Sequence, residues 1–357
     1  MELLAGDRLG KYEIVGRLAA GGMAEVYLAR SIGVGGFAKT VALKRMLPDL
    51  AQEPGFREMF MHEASIAARL NHANIIQIFD FAEERGELYL AMEFVHGVTL
   101  RQLLRDVQKP PPNSNARVFI PPMLAAHIGR CIARALAHAW EAPDENGQPS
   151  KLIHRDVSPH NILLSYDGDV KLADFGIARP ADRRTSVGTI KGKLVYMAPE
   201  QITGGQLDAR TDVFALGIVM HETATNSARS LFEAADQRAI MEAIHRKQII
   251  PPDRMDPDFP KGFSSVILKA LERDAAKRYQ SAAELADALG DCIHRESKSP
   301  LDFDLASFMR TIYGAPPAVR GLRAATTPPS PAPSASGCTE KSSLPDSELA
   351  RRGDDPH

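Results

Sequence analysis

The sequence predicts an α+β fold of two lobes, a small antiparallel β-sheet lobe carrying one helix and a larger, mainly helical lobe. Three observations carry this reading: short apolar or alternating runs before the first proline cluster, helical periodicity after Pro122, and prolines gathered at the joints. Tyr12–Leu18, Ala24–Ala29, Thr40–Lys44 and Leu88–Glu93 read as strands, with a Gly-rich turn between the first two. One helix interrupts them. Phe56, Met59, Phe60, Ala64, Ala67 and Leu70 recur on one helical face, and Asn71-His72 follow as a stop. Glu63 falls on that apolar stripe, where a carboxylate is costly unless a cation meets it.

Beyond Pro122, the stripe Leu124, Ile128, Cys131, Ile132, Ala135 and Leu136 marks a helix, and Phe263–Glu272 and Ala282–Ile293 read as two more. The resulting plan is an N-terminal extension at 1–11 and one domain over 12–292, with the small lobe at about 12–93 and the larger at about 97–292. Prolines on both sides of Asn113–Ile120 mark 108–122 as a surface insertion. Residues 293–314 read as a helical extension, and 315–357, rich in Pro and Ser, as a disordered tail.

Lys and Arg number 43 against 45 Asp and Glu, a net charge of −2, which gives no general case for nucleic-acid or membrane-surface binding. The longest clean apolar run, Phe214–Met220, is too short to span a bilayer, and the first residues lack a signal-peptide pattern. A cytoplasmic setting is expected. Cys131, Cys292 and Cys338 are odd in number and scattered, so neither a disulfide framework nor a zinc site is expected.

In chain order the motifs are Leu18-Ala-Ala-Gly-Gly-Met-Ala-Glu-Val26, Val41-Ala-Leu-Lys44, Glu63, His154-Arg-Asp-Val-Ser-Pro-His-Asn161, Asp174-Phe-Gly176, Ala198-Pro-Glu200, Asp212…Gly217 and Arg278. Their order and spacing resemble the eukaryotic-like bacterial serine/threonine protein kinases, myxobacterial members most of all, over roughly residues 10 to 290. The resemblance implies a bilobal kinase-like fold, ATP and Mg²⁺ between the lobes, and transfer of the γ-phosphate to Ser or Thr hydroxyls of protein substrates. It also implies autophosphorylation, for which self-association would serve.

Phosphoryl transfer depends on positioning and on cations that neutralise phosphate charge. Ala42 and Lys44 lie two apart on a strand and share a face. The resemblance assigns Ala42 to adenine, Lys44 to the α- and β-phosphates, and Glu63 to an ion pair with Lys44. Read alone, Lys44 is a surface lysine; the charge on the apolar stripe at Glu63 reverses that reading. Leu18, Ala19, Ala20, Gly21, Gly22 and Val26 would cover the nucleotide, Met92 would act as gatekeeper, Glu93 to Val95 would form the adenine-binding hinge, and Leu163 would join them. Asp156 would orient the acceptor hydroxyl, with Asn161 and Asp174 as magnesium ligands, since hard Mg²⁺ prefers oxygen. His154 is implied to be a core-facing residue, Glu200 and Arg278 a structural ion pair, Asp212 a brace for the catalytic loop, and Arg155 the partner of a phosphorylated residue. The candidates for that phosphate are Thr189, Thr185 and Ser186, among Arg183, Arg184, Lys191 and Lys193.

Two departures stand out. Ala19 and Ala24 occupy positions where the family carries glycine, which suggests a stiffer loop and weaker nucleotide affinity. Ser158 stands where these kinases place a lysine, and Lys193 where they place a threonine, so a swap is expected in which Lys193 supplies the missing charge. The alternative is a solvated Lys193 and an enzyme that tolerates Ser158. The competing functions are a pseudokinase or nucleotide-binding scaffold, and a small-molecule kinase of related fold. Tyrosine specificity is disfavoured, since Val157-Ser158-Pro159-His160 matches neither usual form of the loop closely.

Overall fold

A computed structural model describes residues 2–21, 24–33, 38–47, 54–110, 117–144, 146–175 and 192–318. Strands β1 (Arg8–Leu9), β2 (Tyr12–Ala20), β3 (Ala24–Ile32), β4 (Ala38–Met46), β5 (Ile78–Glu84) and β6 (Glu87–Glu93) form one sheet in the order β1-β2-β3-β4-β6-β5. Every adjacent pair is antiparallel. One face buries Ile14, Tyr27, Val41, Leu43 and Ala91 in a single cluster. Because side chains alternate along a strand, Ala42 and Lys44 fall on the other face, toward the larger lobe. Helix α1 (Pro54–Ala67) forms where the apolar stripe predicts it, and Phe60 and Ala64 pack with Met46, Leu88 and Leu90.

One strand lies before the domain start expected at residue 12. Leu9 is only 4% exposed and pairs with Tyr12, so residues 8–9 belong to the sheet and not to an extension outside it. A two-residue strand carries no readable alternation.

The chain crosses between lobes through Phe94–His96 into β7 (Gly97–Thr99), which pairs with β8 (Ile162–Ser165), itself paired with β9 (Val170–Leu172). Gly97 is required there, since a Cβ would lie 1.9 Å from the Leu164 carbonyl oxygen. The larger lobe contains α2 (Leu100–Asp106), α3 (Pro122–Glu141), α4 (Pro199–Thr203), α5 (Ala209–Ala224), α6 (Gln237–Arg246), α7 (Pro252–Met255), α8 (Lys261–Ala270), α9 (Ala282–Glu296) and α10 (Leu305–Tyr313). From Thr211 to Ala224 every residue of α5 is buried, and α3, α8 and α9 pack around it. Such a helix, apolar nearly all round, belongs at the centre of a lobe.

Two expectations about the periphery also change. In the predicted surface insertion, residues 111–116 lie outside the described residues, but Ile120 is 1% exposed. Its backbone N–H donates to Asn226 Oδ1 at 2.6 Å, and its carbonyl accepts from Asn226 Nδ2 at 3.3 Å. The segment therefore returns to the core before Pro122 opens α3 at its first position, where the missing N–H costs nothing. At the other end, α9 continues through the predicted boundary at 292 to Glu296, and α10 buries Leu305, Phe308, Met309 and Ile312 in the main core cluster. Tyr313 Oη donates to Asp106 Oδ2 at 2.8 Å, and His96 Nε2 lies 2.9 Å from the Pro317 carbonyl. The helical extension is thus docked beside the crossing between lobes. Of the predicted tail, 319–357 lie outside the described residues. Among the described residues no helix is long and apolar enough to cross a membrane.

Met309 tests how firmly α10 is joined to the core. Met309→Ala is expected to cost about 2–4 kcal/mol in urea denaturation, the usual loss for a buried methionine. An unchanged midpoint and slope would show that α10 does not unfold with the lobe.

Candidate active site

The antiparallel register assembles one wall of the interlobe cleft. Lys44 stands opposite Val26 and Leu90, Ala42 opposite Leu28 and Met92, so these side chains share the inner face of the sheet. Strand β2 remains extended through Ala19 and Ala20, Ala24 opens β3, and the Gly21 N–H donates to the Ala24 carbonyl at 2.9 Å to close the turn. The alanines that replace glycine therefore sit in extended backbone, where a methyl group brings no φ penalty. Leu18 is exposed, and Gly22 lies outside the described residues. Met92 helps line a cavity of about 20 Å³ with Ile76, Leu90 and Phe175.

At the predicted hinge, the Glu93 N–H donates to the Gln77 carbonyl at 2.8 Å, and its carboxylate pairs with Lys171 at 2.8 Å. Among the described residues the backbone N–H and C=O of Val95 make no hydrogen bond, which leaves a donor and an acceptor for a planar base. Leu163, half-buried on β8, pairs across the strand with Thr99 and Lys171.

Lys44 reaches across the cleft to Asp174, Nζ to Oδ1 2.8 Å. Asp174 takes left-handed backbone, φ 56°, which is uncommon for a residue with a side chain. The Lys44 ammonium holds its carboxyl below the ordinary carboxylate value, helped by Lys193. The Glu63 side chain lies outside the described residues, and with it the predicted pairing to Lys44.

The loop from His154 to Asn161 is built on Asp212. Its two carboxylate oxygens accept the backbone N–H groups of His154 at 2.7 Å and Arg155 at 2.9 Å. Burial pushes the Asp212 carboxyl above its ordinary value, although those two N–H groups pull it down. Arg155 is exposed and also left-handed, φ 63°. His154 is fully buried; its Nδ1 accepts from the Asp156 N–H at 3.3 Å and its Nε2 donates to the Ala173 carbonyl at 3.1 Å. One tautomer satisfies both bonds, and no ring nitrogen remains for proton transfer.

Asn161 Nδ2 donates to the Asp156 carbonyl at 2.7 Å and to Asp156 Oδ2 at 3.1 Å, and the Asn161 carbonyl accepts from the Ala173 N–H at 2.8 Å. The last bond ties Asn161 to the residue before Asp174. The Asn161 amide oxygen and Asp174 Oδ2 are left free of these bonds, and such a sparse set of hard oxygens suits Mg²⁺, which fills its remaining positions with phosphate and water. Among the described residues no group of three or more His, Cys, Asp or Glu side chains is arranged to hold a metal.

Ser158 is only 4% exposed. The place beside Asp156 is taken by Lys193, whose Nζ donates to Asp156 Oδ2 at 2.7 Å from residues 192–194, a helical turn. Thr185, Ser186 and Thr189 lie outside the described residues.

Below the cleft, Arg278 makes a two-pronged pair with Glu200, 2.7 and 2.8 Å. Burial pushes the Glu200 carboxyl up, but hydrogen bonds from Arg278 and Thr211 outweigh it and hold the group below its ordinary value.

A further polar contact escaped the sequence reading. Glu222, fully buried in α5, accepts from Tyr196 Oη at 2.9 Å and from the Leu231 N–H at 3.0 Å. Its one signal was an acidic residue two positions beyond the apolar run ending at Met220.

Burial pushes the Glu222 carboxyl up to about 7. A raised carboxyl favours the protonated fold, so this contribution is complete below the ordinary value of 4.5 and is lost as pH rises to about 7. Glu222→Gln imitates the protonated form, with an acceptor for Leu231 and a donor for Tyr196. Its melting temperature is expected to match the parent at pH 4 and to exceed it by a few degrees at pH 8, as followed by circular dichroism. A difference that does not vary with pH would refute the assignment.

Comparison with known proteins gives a consistent result. The family model for the protein kinase domain matches residues 12–289. The tyrosine-protein kinase MasK of Myxococcus xanthus is 37% identical over 307 residues, which cover 85% of this chain and 46% of MasK. The serine/threonine-protein kinase PrkC of Bacillus subtilis is 34% identical over 288 residues, 79% of this chain and 41% of PrkC. The crystal structure of the PknI kinase domain of Mycobacterium tuberculosis superposes with a TM-score of 0.59 at 29% identity, covering 82% of this chain and 100% of that one. The chain spans less than half the length of these two curated relatives.

Proposed function

Because the chain belongs to the protein kinase domain family, we propose that it transfers the γ-phosphate of ATP to Ser or Thr hydroxyls of protein substrates. The observation that carries this reading is the grouping of Asp156, Asn161 and Lys193 on one loop system, tied through Ala173 to Asp174 and Lys44.

In this reading Lys44 binds the α- and β-phosphates, and Ala42, Met92 and the free backbone of Val95 hold the adenine. Asn161 and Asp174 would hold magnesium, which supplies charge neutralisation at the phosphates when bound. Asp156 orients the acceptor hydroxyl and receives its proton. A carboxylate already paired to an ammonium is a weak base, but a loose phosphoryl-transfer transition state asks mainly for orientation. Lys193 brings the positive charge that Ser158 lacks to the Asp156 carboxylate. Phosphorylation at Thr189, Thr185 or Ser186, with Arg155 as the receiving cation, would regulate the segment. A cytoplasmic setting and self-association for autophosphorylation complete the proposal.

The acceptor class is tested by incubating purified chain with Mg-ATP and mapping phosphorylated residues, beside an Asp174→Asn control. Phosphoserine and phosphothreonine are expected, absent from the control. Phosphotyrosine alone would move the chain toward the activity in MasK's name, and nucleotide binding without transfer would leave a scaffold. The charge swap is tested separately. Lys193→Thr is expected to lower kcat by about 10²–10³, the scale of a lost transition-state donor, and adding Ser158→Lys should recover much of it. Full activity in the single variant, or no recovery in the double, would sink the swap.

A further inference from the structure

Nothing in the transfer chemistry accounts for the way α10 grips the crossing between lobes. Gly314 ends that helix in left-handed backbone, φ 72°, and the chain beyond it brings the Pro317 carbonyl to accept from His96 Nε2 at 2.9 Å. Tyr313 donates to Asp106, the last residue of α2, at 2.8 Å. One short segment, 313–317, thus holds both ends of the stretch that runs from His96 through β7 and α2 to Asp106.

Aromatic rings connect these two bonds. Tyr313 meets Tyr166 edge to face with ring centres 5.7 Å apart, Tyr166 meets His96 in the same way at 5.1 Å, and His96 stacks on Phe94 at 6.2 Å. Rings in such contacts have preferred angles, so a shift in one is felt by the next. The Tyr166 N–H also donates to the His96 carbonyl at 3.0 Å, so His96 is held by its backbone, its ring and its Nε2. Val95 stands between Phe94 and His96. Among the described residues its backbone N–H and C=O have no hydrogen-bond partner, so their position is set by the two residues that flank them.

We propose that Tyr313 and His96 are positioning residues for the nucleotide: through them α10 fixes where the Val95 backbone stands, and so how tightly adenine is held. The inference rests on the reading of the cleft as an ATP site and adds a determinant of affinity from α10, which lies beyond residues 12–289 of the family match. The effect has a ceiling. Removing one hydrogen bond loosens Val95 by no more than that bond contributes, so the brace tunes affinity in a graded way. Neither side chain belongs to the group at Asp156, so turnover is spared.

The full chain tests this by calorimetric titration with Mg²⁺ and a non-hydrolysable ATP analogue, and by steady-state transfer to a Ser/Thr peptide. Tyr313→Phe keeps the ring and removes the bond to Asp106. It is expected to raise the Kd of the analogue and the KM for ATP roughly threefold to tenfold, the scale of one hydrogen bond. Peptide KM and kcat should stay at wild-type values, a split that lost stability alone would not give, since unfolding lowers the active fraction and leaves both KM values unchanged. His96→Phe keeps the ring contacts, loses the bond to Pro317 and should act in the same direction. Because both changes interrupt one chain of contacts, the double variant should bind about as weakly as the weaker single. Unchanged nucleotide affinity in either single variant, whatever its melting temperature, or losses that multiply in the double, overturn the brace and leave the kinase reading standing. If the wild type binds the analogue without transferring phosphate from ATP, the kinase reading fails while the same affinity losses still support the brace. A wild type that binds no nucleotide overturns both.

Discussion

Asp212 is a carboxylate placed where carboxylates are expensive, near the centre of the larger lobe, and two backbone N–H groups of the loop from His154 to Asn161 make it tolerable. The dependence runs both ways. Without Asp212 the N–H groups of His154 and Arg155 would lose their acceptors, the first of them in the buried core, and Arg155 would have little reason to hold left-handed backbone. That turn sends the chain back so that the Asp156 N–H meets His154 Nδ1, and the other nitrogen of the same ring fixes the Ala173 carbonyl. Asp174 follows at once. One buried carboxylate thus sets, through a histidine and four hydrogen bonds, the position of both acidic residues that face the cleft.

The Glu200–Arg278 pair plays a comparable part further from the chemistry. Arg278 is almost wholly buried and donates to backbone carbonyls as well as to Glu200, so its charge is satisfied on several sides. Losing one partner of such a pair is costly because the other charge remains buried, so the segment at Glu200 is tied firmly to the loop that precedes α9. The chain leading to Lys193 and Tyr196 is thereby anchored at its far end. Its near end is anchored by Tyr196 on Glu222.

Parts of this arrangement were legible in the sequence because they follow local rules. Alternation in β4 placed Ala42 and Lys44 together, and helical spacing in α1 and α3 marked their buried faces. Other parts obey no local rule. Strand β5 reads Ile-Phe-Asp-Phe-Ala-Glu-Glu, too charged and irregular to show a period, and its pairing contains a register shift. Ile120 lies among prolines and is buried because Asn226, far along the chain, caps its backbone. Glu200 and Arg278, separated by 78 residues, were paired by family resemblance alone. Lys193 is intermediate: chemical need, a missing cation at Ser158, drew attention to it, and the contact with Asp156 agrees with that reasoning.

A cation carried by Lys193 differs in one physical respect from a cation carried by the catalytic loop. The loop is fixed by Asp212 and His154 whatever the rest of the chain does, whereas Lys193 depends on the placement of residues 192–196. In the structure that placement is secured by buried Leu194 and Val195 and by the Tyr196 hydroxyl on a carboxyl that burial has pushed up to about 7. Both protonation states of Glu222 accept or exchange a hydrogen bond with tyrosine, so the anchor survives across neutral pH. On the proposed assignment, the charge needed for transfer therefore reaches Asp156 only when the segment is seated on α5. Substrate orientation and segment placement become one condition, set by the same few side chains.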